Sequence, residues 1–88
     1  MTFLEALQAH RGGLIRLKTE LYWYGGRGYD GSPDRICLLL DAADADSAEV
    51  PWKAPSTTGA GSAEPAAHLL IDGTPHWVWV AAEDVQLL

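Results

Sequence analysis

The chain of 88 residues contains a single cysteine, Cys37, so neither a disulfide nor a cysteine-based metal cluster can hold it together. A lone thiol also fits a reducing compartment, because small secreted domains usually carry several disulfides. Long apolar runs are missing as well. The opening stretch MTFLEALQAHRGG has an acid at Glu5 and reads as neither a signal peptide nor a membrane span. The expected location is the cytoplasm of the producing or host cell.

Positive charge is scarce, and unevenly so. Six Lys and Arg face twelve Asp and Glu, a net charge of −6. Residues 1–40 are nearly balanced, whereas residues 41–88 set Lys53 alone against eight acids. Such a half-chain repels a phosphate backbone, which disfavours nucleic acid as a partner.

Catalytic constellations are lacking too. Ser32, Ser47, Ser56 and Ser62 stand in loop-like sequence without a nucleophile elbow or triad partner. His10, His68 and His76 are scattered, with no carboxylate or cysteine at ligand spacing, so no metal site is expected. The acid pairs Asp30 with Asp34 and Glu83 with Asp84 read as solvated loop charges, because nothing around them would shift a pKa. Cys37, inside an apolar run, reads as a buried, inert thiol. No cofactor and no enzymatic activity are expected.

What is present is enough for a core. The chain is 48% hydrophobic and long enough for one domain spanning residues 1–88. Thr2 followed by Glu5 makes a capping box, and Phe3, Leu4 and Leu7 lie at helical spacing. Arg11 would complement the end of this helix, and Gly12-Gly13 would stop it, giving a short helix over residues 2–11. From Leu14 the period becomes two: Ile15, Leu17, Thr19, Leu21 and Trp23 alternate with Arg16, Lys18, Glu20 and Tyr22. The stretch YGGRGYDGSPD is an irregular loop. Residues 35–41 form a second strand, whose continuous apolar run predicts burial on both faces, with the helix over one of them.

Residues 41–67 are rich in Ala, Ser, Gly, Pro and acids, and predict a long, mobile acidic loop. Within it, Val50-Pro51-Trp52 could start a strand that docks on the body. The loop is a tolerated insertion or an arm that orders on a basic partner. Beyond it, Asp72-Gly73 between two β-type runs signals a hairpin. Ala81-Ala-Glu-Asp84 reads as one 3₁₀ turn and Val85–Leu88 as a last strand.

This order of elements resembles the SH3-like β-barrel superfold. The resemblance rests on LIRLKTELYWYGGRGYDG and on HLLIDGTPHWVWVAAEDVQLL, which together cover about half of the chain. It is architectural and points to no specific family. What it implies is a mainly β fold, a small barrel of about five strands, with the N-terminal helix and the long loop as additions. The peptide-binding chemistry of the eukaryotic proline-binding family is not implied, because the first loop carries Arg27 and only Asp30.

The candidate contact residues are aromatic. Alternation places Trp23 inward and Tyr22 and Tyr24 outward, next to Arg27 and Tyr29, a composition enriched at interface hot spots. The plainer reading is that these tyrosines only cover one end of the domain. Trp77 and Trp79 share one face of a strand and Val78 and Val80 the other, so the tryptophans are either core bulk or an exposed patch. Trp52 is either a docking anchor or a partner-binding residue.

The function class that follows is a non-enzymatic protein–protein interaction or assembly module. It would be a small component of a larger assembly, including a viral one, or an inhibitor docking on a host protein. Self-association through open sheet edges is compatible with this. The alternative is a nucleic-acid or nucleotide binder stacking bases on Tyr22, Tyr24 and Tyr29, for which the basic residues are only Arg16, Lys18, Arg27 and Arg35.

Overall fold

A computed structural model describes residues 1–23, 34–59 and 64–88 in full, and residues 29 and 30 at the backbone level. The chain opens with helix α1, Phe3–Ala9, and its capping box is formed. The Glu5 amide donates to Thr2 Oγ1 at 3.1 Å, and the Thr2 amide donates to Glu5 Oε1 at 2.9 Å. Two amides that a helix start would leave unpaired are thereby satisfied. Leu7 is the fully buried residue of the helix, with Phe3 and Leu4 packed beside it. Arg11 donates to the carbonyl of Gln8 and forms an exposed ion pair with Asp41 at 3.5 Å. The positive φ of Gly12 then turns the chain, and its amide donates to Leu39 at 2.8 Å, feeding the backbone into the sheet.

The strands are β1 (Leu14–Leu17), β2 (Leu21–Tyr22), β3 (Tyr29–Asp30), β4 (Arg35–Ala43), β5 (Ala66–Ile71), β6 (Thr74–Trp79) and β7 (Val85–Leu87). Five of them form one antiparallel sheet in the order β6-β5-β4-β1-β7, while β2 and β3 pair separately. Strands β6 and β7 end the five-stranded sheet without pairing to each other, so that sheet is not closed. The architecture is mainly β with one short helix. The period-two stretch from Leu14 breaks after Leu17, where the Lys18 amide donates to Asp84 rather than to a neighbouring strand. At the β5–β6 hairpin, Asp72 and Gly73 both take positive φ, 50° and 83°, as a two-residue hairpin turn of the primed type requires. A 3₁₀ turn, Ala82–Asp84, precedes β7.

Strand β4 carries a bulge. Leu39 pairs with Leu69 and Asp41 with His68, leaving Leu40 as the extra residue. The bulge shifts the side-chain phase, so Cys37 and Leu39 are buried before it and Ala42 after it. Among the described residues, α1 and the main core cover one face of β4, and Ile36 is 54% exposed on the other. The expectation of burial on both faces is corrected accordingly. An apolar run is also what a strand shows when its outer face is left apolar. The main core unites Leu7, Ile15, Leu17, Leu39, Leu69, Val78 and Val80 with smaller neighbours.

The predicted long loop, residues 41–67, is corrected at both ends and in the middle. Asp41–Ala43 completes β4, and Ala66 and Ala67 begin β5. Between them, Val50, Ala54, Ser56 and Thr57 are buried. Ser56 stitches the two sheets together: it exchanges both backbone hydrogen bonds with Tyr22, at 2.7 and 2.8 Å, and bridges to Trp79 in parallel. Thr57 donates its amide to Trp79, and its hydroxyl accepts from the Ala81 amide at 3.0 Å. The apolar content of this segment is low, yet its backbone and hydroxyl groups anchor it. Residues with few large side chains can be ordered by hydrogen bonds to strands that already exist.

Candidate functional site

Strand β6 separates two environments. Val78 and Val80 enter the main core, whereas Trp79 is buried from the opposite side. There it joins a second cluster with Val50, Ala54 and Ala66, and its indole N–H donates to the Ala45 carbonyl at 3.2 Å. Trp79 is only 5% exposed, so its ring holds the 45–54 segment against the sheet and is not on a contact surface. Trp77, on the same side, is half-buried at the edge of this cluster and stacks on His68 with ring centres 4.5 Å apart. The two alternatives for the Trp77–Val80 strand thus both hold in part: each face is core, and the tryptophan side runs from buried to open along the strand.

Trp77 opens into a groove of about 270 Å³. One wall is the end of β6, with Pro75 and His76. The second is the turn at 51–55, closed by the Ala54 amide on the Pro51 carbonyl at 3.0 Å, which contributes Pro51, Lys53 and Pro55. The third is Trp23, just past the end of β2 and 40% exposed. The expectation that Trp23 points inward is therefore corrected. Strand β2 stops at Tyr22, and beyond a strand end the period-two rule no longer fixes a side chain's direction.

Tyr22 is half-buried and pairs with Tyr29 across β2 and β3. Tyr24 and Arg27 lie outside the described residues. Trp52, between the lining residues Pro51 and Lys53 in sequence, is 64% exposed, and the Lys53 ammonium lies 5.0 Å from the centre of its ring, a cation–π arrangement. Docking of the 50–52 segment thus falls to Val50, and it is part of a turn and not a strand. Trp23, Lys53, His76 and the three prolines were not singled out from sequence as a site. The available signal was Pro51 and Pro55 flanking a bulky aromatic in otherwise small-residue sequence.

The groove has the composition of a binding surface. Tryptophan and proline rings offer rigid apolar area that loses little conformational entropy on contact. Among the described residues, no carboxylate lines it. Elsewhere, burial pushes the Cys37 thiol above its ordinary value, which keeps it protonated and unreactive. Among the described residues, no three His, Cys, Asp or Glu side chains gather where they could hold a metal ion. No helix among them is long and apolar enough to cross a membrane. Compared with known proteins, the chain matches no family model, no curated protein and no solved structure.

Proposed function

We propose that this chain is a non-enzymatic protein–protein interaction or assembly module of SH3-like architecture, and that its partner docks in the groove between Trp23 and Trp77. The observation that carries this reading is the convergence of Trp23, just past β2, and Trp77, on β6, on one open apolar groove, with a third tryptophan, Trp52, exposed next to two of its lining residues in sequence. Large exposed aromatics cost solubility in a free domain, and clustered ones mark contact surfaces more often than isolated ones do. The architectural part is supported by the element order and by the strand order, which sets the first and last strands of the main sheet side by side and places a 3₁₀ turn before the last. The proposed contact set centres on the tryptophans Trp23, Trp52 and Trp77.

The test is recovery of partners from the native lysate by the intact protein and by a Trp23→Ala/Trp77→Ala variant, matched for folded protein by thermal melting. A protein recovered by the first and lost with the second supports the groove. Equal recovery by both, or nucleic acid released by modest salt, rejects it, because phosphate contacts weaken steeply with ionic strength.

A further inference from the structure

We infer that the groove selects a peptide segment in which a large apolar side chain is flanked by a carboxylate, with Lys53 as the residue that reads the acid. This rests on the docking reading above and adds the chemistry of the occupant. Lys53 is the single Lys or Arg in residues 41–88, against eight acids, and it stands on the groove wall. Among the described residues, no Asp or Glu lines that groove. On so acidic a chain, the groove is a local exception in which one cation stands next to an apolar floor. Among the described residues Lys53 takes part in no ion pair, and its ammonium rests over the Trp52 ring.

The chemistry follows from these placements. Trp23 and Trp77 supply the apolar floor for a ring or a branched side chain. A carboxylate beside that side chain meets the Lys53 ammonium, and His76, also in the lining, adds an imidazole hydrogen-bonding group. The chain's net charge of −6 opposes an acidic ligand at a distance. That repulsion is screened over about 8 Å at physiological salt, whereas the contact with Lys53 acts within a few ångströms. The long-range field therefore lowers the association rate, while the local contact sets the preference.

The test is selection of random heptapeptides on the intact protein. Synthetic capped versions of the enriched peptides are then titrated by tryptophan fluorescence against the native chain and the variants Trp23→Ala, Trp77→Ala and Lys53→Glu. The expected result is a consensus pairing an aromatic or branched residue with Asp or Glu. Either tryptophan variant abolishes its binding, and Lys53→Glu weakens it roughly fivefold to tenfold, the scale of an exposed pair turned into a repulsion. Peptides that need Trp23 and Trp77 but carry no acid, or carry Lys or Arg, would overturn this inference and leave the groove as the docking site. An absence of enriched peptides, or binding indifferent to both tryptophans, would overturn the docking reading and this inference with it.

Discussion

The two apolar clusters of this small domain are built differently. The main core is lined by side chains from α1 and the strands of the sheet: Leu7, Ile15, Leu17, Leu39, Leu69 and Val78 meet between regular elements, joined by Val80 just past β6. The second cluster is a single large ring, Trp79, covered by Val50 and Ala54 from a segment with no strand or helix of its own. In the first, many interchangeable aliphatic side chains share the burial. In the second, one indole and a few hydrogen bonds position a whole segment, and with it one wall of the groove. A periodic core tolerates repacking, whereas a cluster centred on one ring depends on that ring.

The comparison is broken most directly at Leu69. Its side chain is fully buried in the centre of the main core, and Leu69→Ala should cost about 2–5 kcal/mol in denaturant unfolding. That is a large share of the stability of a domain this size. A loss below 1 kcal/mol would mean that the main core does not dominate the fold. At the second cluster, Trp79→Phe keeps most of the ring but removes the donor to Ala45 and some volume. The expected cost is roughly 2 kcal/mol, from a lost hydrogen bond and a small cavity. Amide exchange should then quicken at Thr57 and Ala81, whose backbone bonds depend on the same segment, while exchange at Leu69 stays slow. Uniform acceleration across the protein would show that the two clusters are one cooperative unit.

The same contrast decides what could be read from the sequence. The capping box at Thr2 and Glu5, the Asp72-Gly73 turn, the 3₁₀ turn and the closing strand are local signals, set by residues within a few positions of one another, and each appears where the sequence places it. The bulge at Leu40 left no such signal. An uninterrupted run of Ile, Cys and Leu reads the same with one face covered or with both. The 50–57 segment was illegible for a different reason. It is held by backbone bonds of Ser56 to Tyr22 and of Thr57 to Trp79, which link positions far apart in the chain. Composition registers apolar side chains, and here the anchoring groups are amides, carbonyls and a hydroxyl. The groove inherits that difficulty, since its walls converge only once this segment is in place.

The helix offers a smaller, pH-dependent contrast. Thr2→Ala should cost about 1 kcal/mol, the usual value of a helix cap, read as a lowered melting temperature. The amide of Thr2, followed by its hydroxyl, holds the Glu5 carboxyl below its ordinary 4.5. A carboxyl lowered on folding stabilises the folded state above the unfolded value and loses that contribution as pH falls through the folded value. The melting-temperature gap between the native chain and Glu5→Ala should therefore be present at pH 6 and shrink as pH drops well below 4.5. A gap that persists in strong acid would mean that Glu5 acts through packing and not through its charge.

The smallest effect is expected on the outer face of the sheet. Leu14, Leu38 and Leu70 stand in register across β1, β4 and β5, and Ile36 lies beside them on β4, opposite Arg16. Ile36 is 54% exposed and belongs to neither cluster. Ile36→Thr keeps the β-branch that suits a strand and removes apolar area already in water, so stability should change by less than about 0.5 kcal/mol. Unfolding measured at two protein concentrations a hundredfold apart makes the test sharper. A monomer with an open outer face shows the same small change at both. A cost above 1 kcal/mol that appears only at the higher concentration would mean that a second copy covers this face. Three apolar surfaces would then have to be compared instead of two, and stability would depend on concentration because the covering chain is lost on dilution.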